Sequence, residues 1–166
     1  MAACTTTAQP PPLVGTSLGG ESEAASWIGH DQVAIGQEWL FALPLPYNKS
    51  AKDLTITRAE VLDLPPGTQL TGMSAHALRD TDDSVIGLAL VGSSDMTTKL
   101  LAKAKNVVGK PVTVKSRSLS DVYYVARIKV TGKIAKEVER CRFEYEQDDK
   151  HYAQVIGCRL KLTLKP

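Results

Sequence analysis

The feature that most constrains this chain is a two-residue alternation of apolar and polar side chains that recurs three times toward its C-terminus. In "VYYVARIKV", Val122, Tyr124, Ala126, Ile128 and Val130 fall on one side and Arg127 and Lys129 on the other. "EVERCRFEYEQ" sets Cys141, Phe143 and Tyr145 against Arg140, Arg142, Glu144 and Glu146, and "HYAQVIGCRLKLTL" places Tyr152, Ile156, Cys158, Leu160, Leu162 and Leu164 on one face. Successive side chains point to opposite faces of a strand, so segments of this kind are stable only where one face is covered by another layer.

Upstream the same rhythm is shorter and weaker. Trp39, Phe41, Leu43 and Leu45 share a face in "QEWLFALPLPYN", where Pro44 and Pro46 lack donors along one side and so predict an edge strand. "DLTITRAEV" reads as a second strand, Pro65 to Gly67 supply turn chemistry, and further strands fall at about 69–77, 85–91 and "PVTV". Only "SDMTTKLLAKAKNVVGKP" breaks the pattern. Met96, Leu100 and Ala104 recur every four residues, Asp95 can cap the start, and Gly109 and Pro111 can stop it, which predicts one short helix lying on the sheet. Together these segments predict an all-β fold, a Greek-key β-sandwich of 7–8 strands with one connecting helix. With 166 residues, 43% of them hydrophobic, the chain can build its own core without a structural metal.

Before the strands, from Thr5 to about Ser26, the residues are mostly Thr, Ala, Pro, Gly, Ser and Glu, and Leu13, Val14 and Leu18 follow no period. This predicts a disordered tether over residues 1–30 and a folded domain over 31–166. Ala2, Ala3 and Cys4 at the head of such a stretch resemble the start of a mature bacterial lipoprotein, in which small residues precede a lipidated cysteine and a stalk follows. Met1 stands where that pattern usually has Leu. The resemblance implies lipid attachment at Cys4, translation starting upstream of Met1, and an extracytoplasmic protein touching the membrane only through its lipid. Otherwise Cys4 is an incidental thiol of a cytoplasmic protein. The run from Trp39 to Val61 and the final hairpin resemble the immunoglobulin-like domains of bacterial exported proteins, which implies that topology for the domain. Antibody domains differ, because Cys141 and Cys158 lie close in sequence with no Trp between them.

Cys141 and Cys158 share the inward parity of consecutive strands. A four-residue loop at Asp148 to His151 would place them opposite each other; a two-residue loop at Asp148 and Asp149 would pair Cys141 with Ile156, leaving the cysteines diagonal unless Gly157 forms a bulge. In an oxidising compartment a disulfide is expected, and otherwise two buried thiols.

Charge is uneven. Residues 1–100 carry 5 Lys and Arg against 11 Asp and Glu, whereas residues 101–166 carry 15 against 7. The net +2 is too small to indicate nucleic acid, and no apolar run reaches the ~18 residues of a membrane helix. Arg140, Arg142, Arg159 and Lys161 have outward parity on the last hairpin and so form a candidate surface for an anionic envelope component or partner protein; solvation of a mixed-charge face is the plainer reading.

Catalytic patterns do not show themselves. There is no G-x-S-x-G elbow and no phosphate-binding glycine loop, and His30, His76 and His151 have no metal-ligand spacing. Met73 and His76 have opposite strand parity. Asp80, Asp82, Asp83, Asp148 and Asp149 fit turns better than a calcium loop, and Asn48-Lys49-Ser50 is a glycosylation sequon that arises often by chance. The expectation is a monomeric or weakly associating, non-catalytic binding or structural module without cofactor. A metal-handling domain comes second and a hydrolase third.

Overall fold

A computed structural model of the chain describes residues 10–19 and 27–166. Cys4 lies outside the described residues. In chain order the strands are β1 (Leu13–Val14), β2 (Trp27–Val33), β3 (Glu38–Ala42), β4 (Tyr47–Asn48), β5 (Leu54–Leu62), β6 (Thr68–Ala77), β7 (Leu88–Leu90), β8 (Val112–Val114), β9 (Ser118–Leu119), β10 (Val122–Val130), β11 (Val138–Gln147) and β12 (Lys150–Leu164). One helix, α1 (Met96–Lys103), and a short 3-10 turn at Leu78–Thr81 interrupt them. The chain is therefore all-β in the sense the alternation predicts. The expected 7–8 strands become twelve among the described residues, because two- and three-residue strands such as β1, β4 and β9 are too short to show a period.

Two sheets face each other. The first runs β1-β12-β11-β5-β8, with β2 also on β12, and the second runs β6-β10-β3-β7. Their inward faces meet in one core, to which the second sheet gives Trp39, Phe41, Tyr124 and Ile128 and the first gives Ile56, Cys141, Phe143, Tyr145, Ile156 and Leu160. Tyr124 meets Phe143 edge to face, with ring centres 5.8 Å apart. β3 is not the edge strand its prolines suggested. It pairs with β10 on one side and β7 on the other, and it ends at Ala42, before Pro44 can cost it a hydrogen bond.

The outer face of the second sheet carries a smaller core of its own. Ala42, Tyr123 and Val125 point away from the main core and are covered by Ile86, Ala89 and Leu101. Asp95 caps α1 by accepting the Thr98 N–H at 2.7 Å, as expected. The buried face of the helix is Thr98 and Leu101, whereas Met96 is exposed. The expected Met96, Leu100 and Ala104 face is corrected accordingly: packing on Tyr123 and Val125 selects a stripe beside it.

The tether expected over residues 1–30 is also corrected where it is described. β1 pairs in parallel with Tyr152 and Ala153, and β2 pairs in parallel with β12 from Arg159 to Leu164. Between them, Leu18 is fully buried. Its N–H is accepted by Gln154 Oε1 at 2.9 Å and its carbonyl receives Gln154 Nε2 at 2.6 Å, while the Ser17 N–H is donated to the Tyr145 hydroxyl at 3.0 Å. Gly15 permits this approach, because a Cβ there would lie 2.4 Å from the Tyr145 oxygen. One leucine and a set of side-chain amides hold this strap, and neither signal is periodic.

Candidate anion-binding groove

The last hairpin turns through two residues, Asp148 and Asp149, both with positive φ, a conformation Asp tolerates. Cys141 consequently pairs with Ile156, the second of the two expected registers. Cys141 and Cys158 are nevertheless bonded, with Cα atoms 5.7 Å apart and both side chains buried. The ladder slips by one residue between Arg140↔Gly157 and Val138↔Leu160.

The four outward cations divide. Arg140 is paired with Asp63, Arg142 with Glu60 at 3.6 Å and Glu144 at 2.8 Å, and Arg159 with Glu137 at 2.9 Å. Carboxylates of β5, the β5–β6 turn and the β10–β11 loop therefore neutralise the three arginines, and the expected common positive face is not formed by all four residues. Glu144 lies on β11 itself and shares the outward parity of Arg142, whereas Glu60, Asp63 and Glu137 come from elsewhere in the chain, which hairpin parity could not reveal. Lys161 has no acidic partner among the described residues.

Lys161 instead belongs to a groove at the base of the hairpin. β12 runs on past Leu160, but β11 begins only at Val138, opposite it. The chain leading into β11 peels away, leaving an open groove of about 430 Å³ between residues 133–137 and residues 161–164. Its apolar surface comes from Ile134, Ala135, Leu162 and Leu164, and Lys133, Lys136 and Lys161 stand along it together with Glu137, whose carboxylate is held by Arg159. None of these lysines is ion-paired among the described residues. A smaller hollow lined by Asp63, Lys136, Glu137, Glu139 and Arg140 adjoins it.

The lysine wall is held by the turn at Gly67. Thr131 and Gly132 donate their N–H groups to the Gly67 carbonyl at 2.8 and 3.2 Å. Gly67 has φ +85°, and a Cβ there would lie 2.3 Å from the Lys133 carbonyl oxygen, so only glycine fits without moving the loop. Sequence reasoning missed Lys133 and Lys136. The visible signal was "TGKIAKE", a basic loop abutting the outward cations of the hairpin.

Elsewhere, polar groups serve the fold. His76 is buried, its Nδ1 3.2 Å from the Lys105 carbonyl and its Nε2 2.9 Å from Ser74 Oγ, and burial lowers its pKa below the ordinary histidine value. His30 packs on Trp39 with ring centres 4.6 Å apart, and His151 lies 3.2 Å from Glu144. Among the described residues no cluster of three His, Cys, Asp or Glu is placed to hold a metal ion. Asn48 of the sequon is fully buried and donates to the Lys52 and Val114 carbonyls. No helix among the described residues is long and apolar enough to cross a membrane. No protein-family model matches the chain, and no curated protein or solved structure is significantly similar to it.

Proposed function

We propose that the chain is a non-catalytic binding module of the cell envelope, held at a membrane surface by a lipid on Cys4, and that its groove receives an anionic partner. The observation that carries this reading is the set of three lysines without an ion-pair partner among the described residues, placed along an apolar surface where Glu137, the groove's one carboxylate among those residues, is engaged by Arg159. Cations lacking internal partners attract anionic ligands, and the adjacent apolar floor adds contact area that charge alone does not give. The Cys141–Cys158 bond supports an oxidising, extracytoplasmic compartment. Within the same reading the topology is immunoglobulin-like and Greek-key. Non-sequential neighbours such as β5 beside β11 and β3 beside β10 support it.

The test is the triple variant Lys133→Glu, Lys136→Glu, Lys161→Glu, assayed against an acidic peptide, phosphatidylglycerol vesicles and cell-wall fragments. Wild-type protein binds at least one of these, more tightly at low salt, and the variant loses at least tenfold. Binding that ignores both salt and the substitutions would remove the groove from consideration. For the anchor, labelling by a fatty-acid analogue in cells should disappear in Cys4→Ser, and persistent labelling would place the lipid elsewhere.

A further inference from the structure

The groove is also a gap in a sheet. Along residues 159–164, β2 occupies one edge of β12, and β11 occupies the other only as far as Leu160. Lys165 donates its N–H to the Val33 carbonyl at 2.9 Å, on the β2 side. Backbone groups alternate between the two edges of a strand, so the N–H and C=O groups of Leu164 and Leu162 point the other way, into the groove. No backbone hydrogen bond from residues 133–137 reaches them. A protein ordinarily covers or charges an unpaired edge, since such an edge is a template for another strand.

The geometry points to strand addition: an extended acidic peptide of a partner protein pairs with the free edge of β12 at Lys161–Leu164. This deepens the anionic reading of the groove and rests on it. The two features of the groove fit that one occupant. A strand presents side chains alternately to its two faces, so apolar residues of the peptide would meet Leu162, Leu164 and Ile134 while its carboxylates would meet Lys133, Lys136 and Lys161. Backbone pairing supplies sequence-tolerant affinity, and the lysines select acidic segments over basic ones. An open slot beside a strand edge suits an extended chain better than a small molecule, which needs enclosure on most sides.

The experiment uses the full chain and a fluorescent octapeptide alternating Asp and Val. Three probes are compared by anisotropy: this peptide, the same peptide N-methylated at every residue, and one alternating Lys and Val. Amide exchange of Leu162 and Leu164 is followed by NMR. Strand addition predicts that N-methylation weakens binding at least tenfold, that the Lys peptide does not bind, and that exchange at Leu162 and Leu164 slows when the Asp peptide is added. Equal binding of the methylated peptide, or unchanged exchange at both amides, would overturn strand addition while leaving an anion-binding groove. Asp-peptide binding unaffected by Lys136→Glu with Lys161→Glu would overturn both readings. If phosphatidylglycerol vesicles protect the same amides as strongly as the peptide, the occupant is a lipid surface and the peptide is excluded.

Discussion

The two ends of the β11–β12 hairpin are made of the same strands and finished in opposite ways. At the tip, the strap of residues 13–19 closes the gap between the sheets: Leu18 fills it, Gln154 holds both backbone groups of Leu18, and Ser17 Oγ donates to Gln147 Oε1 at 2.7 Å. At the base, β12 outruns β11 and no segment among the described residues takes the vacated edge. One end therefore satisfies its backbone internally, and the other leaves backbone and charge unspent. Where a fold can close an end with seven residues and leaves its opposite end open, the open end is the place to look for a partner.

Truncating the closed end should do the most damage. Leu18→Ala is expected to cost about 2–5 kcal/mol in denaturant unfolding, whereas Ile134→Ala beside the groove, only partly buried, should cost well under half of that. Equal losses would erase the distinction between the ends. The disulfide spans both descriptions, since it crosses the hairpin between tip and base. Reducing it should cost about 3 kcal/mol for its loop of separation 17, and thiol titration of the unfolded oxidised protein should find neither Cys141 nor Cys158 reactive. Gln154→Ala should remove about 1–2 kcal/mol by orphaning the Leu18 backbone groups, and Gln154→Glu should recover only the half that accepts the Leu18 N–H.

Acid should act through His76, on β6 of the second sheet. His76 is held neutral by burial, facing Ser74 Oγ, the Lys105 carbonyl, the Tyr123 ring and, through space, Asp80. Its folded pKa lies below the unfolded value, so the unfolded chain binds the extra proton first. The corresponding stability is complete above about pH 6.5 and is lost as pH falls toward the depressed folded value. Thermal unfolding followed from pH 7.5 to 5 should show this slope, and His76→Gln should flatten it. The smallest effect on stability belongs to the groove lysines. Their reversal to Glu should change unfolding by about 0.5 kcal/mol or less while changing binding tenfold, the reverse of the Leu18 result.

The long strands and the inward cysteines were legible because their alternation is a property of neighbouring residues. Asp148 and Asp149 could be assigned to a turn for the same reason, although only the fold chose between two loop lengths. What escaped depends on residues far apart. Leu18 is one apolar residue in a polar stretch, and its partner Gln154 lies 136 positions away. The neutralisation of Arg140 comes from Asp63, 77 positions away in the β5–β6 turn, and the groove exists because β11 starts late, at Val138, a boundary that falls where the alternation has already broken, since Val138 and Cys141 have opposite parity.

The parallel pairing of β1 gives the molecule a polarity relative to anything attached at Cys4. Eight residues lie between Cys4 and Leu13, and the nine steps along the chain give a covalent reach of at most about 32 Å. Leu13 lies alongside Tyr152, next to the hairpin turn, and from Lys150 to Leu164 β12 climbs roughly 45 Å in the other direction. A lipid on Cys4 would keep the sealed end close to the bilayer and hold the lysine groove aloft, like a cleat at the top of a short mast. A ligand would then be met at a height set by β12, and lengthening the segment before Leu13 would raise the whole post without altering which end faces outward.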